Sequence, residues 1–102
     1  MSYTLDITDF AETAIEEIVI WYAENETVRR AEKVRNSIYS MIEKIAESPF
    51  VFKMYENTFS PRPSLRCAVV HDVHAIVYEI KESVIVIIDV FSLKRNPVLF
   101  KK

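Results

Sequence analysis

An α+β fold with its elements in the order β-α-α-β-β-β is predicted for this chain of 102 residues by three patterns. Near the N-terminus Tyr3, Leu5 and Ile7 alternate with Thr4, Asp6 and Thr8, the period-two signature of a half-buried strand. Two stretches with apolar residues at helical spacing follow. The C-terminal part then holds three apolar runs, the last two joined by a short polar turn, and all three read as strands.

The first helix starts at Asp9, which with Glu12 resembles a capping box, and repeats Ala11, Ala14, Ile15, Ile18, Val19 and Tyr22 through about Glu24. Its early acids suit the positive end of the helix dipole. The second helix, from about Thr27 or Val28 to Pro49, sets Ala31, Val34, Ile38, Met41, Ile42 and Ile45 on one stripe and most of its charges outside it. The linker Asn25 to Thr27 is short enough to require an antiparallel helix pair. Residues 49–64 hold three prolines and four aromatics without a clean period, so they read as an irregular connection pinned by Phe50, Phe52, Tyr55 and Phe59. Strands are expected over about Leu65 to Val70, His74 to Ile80 and Val84 to Ser92, the last apolar on both faces and therefore either central and covered on both sides or covered on one side and masked by a partner on the other. With no glycine in the chain, the turns must rest on Asp72, Asn25, Asn57 and Asn96, which tolerate positive φ best among the other residues.

Size and 50% hydrophobic composition suit one domain spanning 1–102. No apolar run approaches the roughly 20 residues of a membrane span and no leader pattern opens the chain, so a cytoplasmic protein without a membrane partner is expected. The single Cys67 sits in an apolar strand and reads as a core thiol, and no Cys/His cluster suggests a metal or cofactor. Charge is uneven: residues 1–48 carry five bases and ten acids, residues 49–102 eight bases and five acids. Phosphate would be repelled along 9–26, so a nucleic-acid groove is restricted to the C-terminal half.

The element order, Ala31 with the helix ending at Ser48-Pro49, Leu65-Arg66, Ile76-Val77-Tyr78, and Val90 to Pro97 with its basic pair together resemble the RelE/ParE toxin superfamily of type II toxin-antitoxin systems. The resemblance covers almost the whole chain. It implies two helices packed on a mainly antiparallel four-stranded sheet, and a toxin that pairs with a cognate antitoxin in a hetero-oligomer. RelE-like members cut mRNA on the ribosome, whereas ParE-like members poison DNA gyrase. Ala75 stands where the resemblance places a third-strand arginine, Ser92 where many relatives have a histidine, and no Tyr or His follows Tyr78. A sequence pI near 5.7 also suits a phosphate-rich partner poorly. The ParE-like branch is therefore favoured, with the endonuclease and a degenerate, antitoxin-binding member as alternatives.

Among individual residues, Arg66, Lys94 and Arg95 are the candidates for target binding, as a cationic patch at one end of the sheet. The competing reading of Arg66 is a solvated side chain paired with Glu79 or Asp89. If the protein is a nuclease, these three residues with His71 and His74 are its candidate catalytic set, although histidines flanking the Asp72-Val73 turn are by default surface residues. Lys101 and Lys102 read as solvated tail residues. Ile20 and Trp21 widen the apolar surface of the first helix and need a cover, either the sheet or an antitoxin segment.

Overall fold

The computed structural model describes residues 3–54 and 65–93. Its elements are β1 (Thr4–Ile7), α1 (Asp9–Asn25), α2 (Val28–Glu47), β2 (Lys53–Met54), β3 (Leu65–Val70), β4 (His74–Lys81) and β5 (Val84–Ser92). The sheet order is β1-β5-β4-β3-β2, with β1 parallel to β5 and every other pair antiparallel. The predicted helix pair and four strands are present. The short β2, which pairs Lys53 with Cys67 and Met54 with Arg66, is added to them inside the stretch read as irregular. Two residues are too few to show a period.

Local chemistry sets the helix ends. Thr8, not Asp9, is the N-cap of α1: its Oγ1 accepts from the Ala11 N–H at 3.1 Å and its hydroxyl donates to the Ile87 carbonyl at 2.9 Å. That second bond comes from β5 and is invisible in a local pattern, which is why the capping-box reading found the helix start at Asp9 but assigned the cap one residue late. Thr27 caps α2 through the Arg30 N–H, and only Glu26 and Thr27 separate the helices. Arg35 and Glu16 bridge the pair at 3.1 Å in an exposed contact that contributes little.

One face of the sheet carries the main core. Ile15 and Ile18 of α1 and Ile38, Ile42 and Ile45 of α2 pack on Ile76, Tyr78, Ile85, Ile87 and Val90. A bulge explains this last grouping. The register runs from Val77↔Asp89 to Tyr78↔Ile87, so Ile88 is the extra residue and Val90 returns to the face of Ile85 and Ile87. The opposite face gathers Leu65, Cys67, Ala75, Val77 and Phe91. The strand buried most continuously is β4, from His74 to Glu79, rather than β5. Both lie inside the sheet, but β5 has intermediate exposure at several positions beside the short β1.

Among the described residues, positive φ is not confined to the expected turn residues. Asp72 has positive φ as foreseen, but His71 and Glu82 do too, at 53° and 54°. Asn25 ends α1 and its side chain donates to the Trp21 carbonyl. Tyr55, Asn57, Phe59 and Asn96 lie outside the described residues.

Candidate functional site

The sheet register places Arg66 and the last residue of β5 at different ends of the sheet. Arg66 stands opposite Tyr78, which pairs with Ile87, whereas β5 ends at Ser92 opposite His74 and Val70, at the other end of the sheet. Four residue steps along β4 separate those rows, about 13 Å at the usual rise. Lys94, Arg95, Lys101 and Lys102 are outside the described residues. Arg66 does not take Glu79 or Asp89 as its partner. Its guanidinium donates to the Phe52 carbonyl at 2.7 Å and the Phe50 carbonyl at 3.5 Å, and lies 5.2 Å from the Phe50 ring centroid. The reason is strand alternation: Arg66 shares the face of Tyr78, toward the α2–β2 connection, while Glu79 belongs to the opposite face. Glu79 instead meets Lys81 at 3.9 Å, and the Asp89 carboxylate accepts from the Val90 N–H at 2.8 Å.

Tyr78 anchors the same connection from beneath. Its hydroxyl donates to the Pro49 carbonyl at 2.6 Å in a fully buried position. Burial pushes this phenol up to about 12, with Arg66 pulling the other way. Burial likewise pushes the Cys67 thiol up to about 12, as expected of a core thiol, and raises the Asp89 carboxyl above its ordinary value. Tyr39, on α2, is raised by desolvation and then by Glu12 and Glu16 of the acidic α1 face.

The two histidines part company at the β3–β4 turn. His71 is exposed, with a left-handed backbone, but His74 is only 4% exposed. His74 begins β4 on the side of Ile76 and Tyr78, so its ring enters the helix–sheet layer, with Nε2 3.5 Å from the Tyr22 hydroxyl. It is not a surface turn residue. Between this turn and α2 opens a cleft of about 370 Å³ lined by Tyr22, Arg30, Lys33, Val34, Ser37, Val70, His71, Val73 and His74. A second lobe of about 430 Å³ continues along α2 to Lys44. Ile20 and Trp21 remain 51% and 37% exposed, so the sheet does not cover them. The Trp21 ring meets Tyr22 edge-on at 5.1 Å and leaves part of its surface outward.

Residues 5–97 match the model of the family described as the ParE toxin of the type II toxin-antitoxin system, parDE. The chain belongs to the ParE toxin family. Solved structures agree in fold. A chain of the chromosomal ParDE system from P. aeruginosa superposes with a TM-score of 0.75 at 14% identity, covering 89% of this chain and 96% of that one. A chain of the RelBE2 toxin-antitoxin complex from Mycobacterium tuberculosis gives 0.62 at 16% identity, covering 90% and 99%. No curated protein matches the sequence.

Within this ParE-family chain, sequence reasoning missed Arg30 and Lys33 as residues of a cleft, because α2's charges fall outside its apolar stripe. Spacing supplies the signal in retrospect. Positions 30, 33 and 37 follow the i, i+3, i+7 pattern of a single helix face, beside Val34. What they face is decided by the turn at His71, far away in sequence. Among the described residues no group of His, Cys, Asp or Glu has the geometry to hold a metal, and no helix is long and apolar enough to cross a membrane.

Proposed function

We propose that this ParE-family toxin acts by binding a protein target, with DNA gyrase the first to test, and that a cognate antitoxin neutralises it by ordering on the toxin's surface. The observation that carries this reading is that the candidate catalytic groups read from the sequence do not assemble: Tyr78 and His74 are buried in contacts of their own, and the exposed His71 follows Val70 at the opposite end of β3 from Arg66. RNA cleavage by 2′-hydroxyl attack needs a base, an acid and cationic donors within reach of one phosphate. Tyr78 spends its hydroxyl on the Pro49 carbonyl, and His74 is buried against Tyr22. Ala75 is wholly buried among Leu65, Cys67, Val77 and Phe91, and Arg66 is committed to backbone carbonyls at the other end of the sheet from Ser92. The family match supports the ParE-like branch.

Lys94 and Arg95, which follow β5, are the target-binding residues in this proposal. The exposed pair Ile20 and Trp21 offers the antitoxin an apolar contact on α1. Both solved relatives named above come from toxin-antitoxin systems, which supports such a partner.

The test is expression of the chain alone. Growth should slow with a DNA-damage response, and the double variant Lys94→Glu/Arg95→Glu should relieve this without a change in Tm. Codon-positioned mRNA cuts preceding that response would establish the endonuclease instead, and absence of any growth defect would favour a member that only binds antitoxin. Growth inhibition unaltered by the double variant would remove Lys94 and Arg95 from the mechanism.

A further inference from the structure

We propose that the cleft between α2 and the β3–β4 turn binds a phosphate monoester carried on a ring, a ligand of nucleoside-monophosphate size. Two elements supply its polar groups from opposite sides. From α2, Arg30, Lys33 and Ser37 line one wall at successive turns. From the hairpin, His71 and His74 line the other, and the Tyr22 hydroxyl lies beside His74. None of the lining residues of either lobe is acidic, although the whole chain has 15 acids against 13 lysines and arginines. Arg30, Lys33, Ser37 and His71 can donate hydrogen bonds, and the wall carries two fixed positive charges, that of Arg30 shared with Glu26, which is the chemistry that selects an oxyanion.

The cations differ in how they are held. Arg30 is braced, with Nε 3.5 Å from Glu26 and its guanidinium carbon 5.8 Å from the Tyr22 ring centroid. Lys33 has no ion-pair partner among the described residues. A braced planar guanidinium beside an uncommitted ammonium suits a phosphate better than an isolated surface charge does. The size of the cleft argues for more than inorganic phosphate. A volume of about 370 Å³ falls within the range of small-molecule sites, and the rest of the wall is Val34, Val70 and Val73, which offer an apolar ring somewhere to lie. The proposal does not depend on which macromolecule the toxin attacks.

Titration of the full chain with adenosine monophosphate, adenosine and inorganic phosphate, by calorimetry at low salt, tests it. Saturable binding of the monophosphate is expected, with adenosine and inorganic phosphate each at least tenfold weaker. Lys33→Glu should weaken monophosphate binding at least tenfold. Arg29→Glu, an equal charge change on the same helix outside the cleft, should leave it within twofold. Thermal melts of both variants establish that they fold, and a fold-disrupting effect of Lys33→Glu is bypassed with Lys33→Gln. No saturable binding, equal binding of adenosine or of inorganic phosphate, or equal losses in the position-29 and position-33 variants would overturn the assignment.

Discussion

Replacing Tyr78 with phenylalanine removes one atom and isolates the bond that ties β4 to the exit of α2. The hydroxyl donates to the Pro49 carbonyl at 2.6 Å, and both residues are buried. In Tyr78→Phe the carbonyl keeps its burial and loses this donor, which costs about 1–3 kcal/mol. For a chain of this size that is a fall in Tm on the order of 10 °C. Alkaline pH supplies a second, independent signature. The folded phenol is pushed up from 10.0 to about 12, so between those values the native state keeps a proton that the unfolded state has lost. Stability from this group is therefore complete below about pH 10 and is lost as pH rises toward 12. At pH 11 the loss is roughly 1.4 kcal/mol, from the difference between the two titration curves. Phenylalanine has no such loss, so the wild-type advantage should shrink by that amount between pH 8 and pH 11. Urea unfolding of both proteins at the two pH values measures it, with the m-value as a check that the unfolded states are comparable. A penalty below about 0.5 kcal/mol at pH 8, or a gap that stays constant to pH 11, would refute the account of Tyr78 as a buried neutral donor.

Three further outcomes are expected. Thr8→Ala should lower stability by about 1–2 kcal/mol in urea unfolding, because it removes the α1 cap and the bond to the Ile87 carbonyl together, while Asp9→Ala should cost less. Glu82→Gly should raise the urea midpoint by about 0.5–1 kcal/mol equivalent at unchanged m-value, since φ of 54° strains a residue with a Cβ; a lower midpoint would show that the glutamate side chain outweighs the strain. At pH 8 native Cys67 should label with a disulfide reagent far more slowly than in denaturant. Raising its pKa from 9.0 to about 12 lowers the thiolate fraction by about a thousandfold, and fast native labelling would contradict its burial.

By itself the sequence determined what depends on neighbours a few residues apart. The stripe from Ala31 to Ile45 and the alternation from Thr4 to Ile7 are each written in a local period, because a helix or half-buried strand must bury one repeating set of positions, and the strands Leu65–Val70 and Val84–Ser92 are legible as short apolar runs. Together with the ordered pieces of the family resemblance, these were enough for the class of fold. Only the tertiary structure decided which partners meet across long separations. Thr8 became the cap because Ile87 holds its hydroxyl, His74 went inward because Tyr22 waits there, and Arg66 turned to Phe52 because its pleat faces that way. The bulge at Ile88 reversed the facing of the residues after it, and the cleft beside Arg30 and Lys33 exists only where α2 passes the His71 turn. None of these has a period, since each is a meeting of two segments whose approach is set by the packing of the whole core.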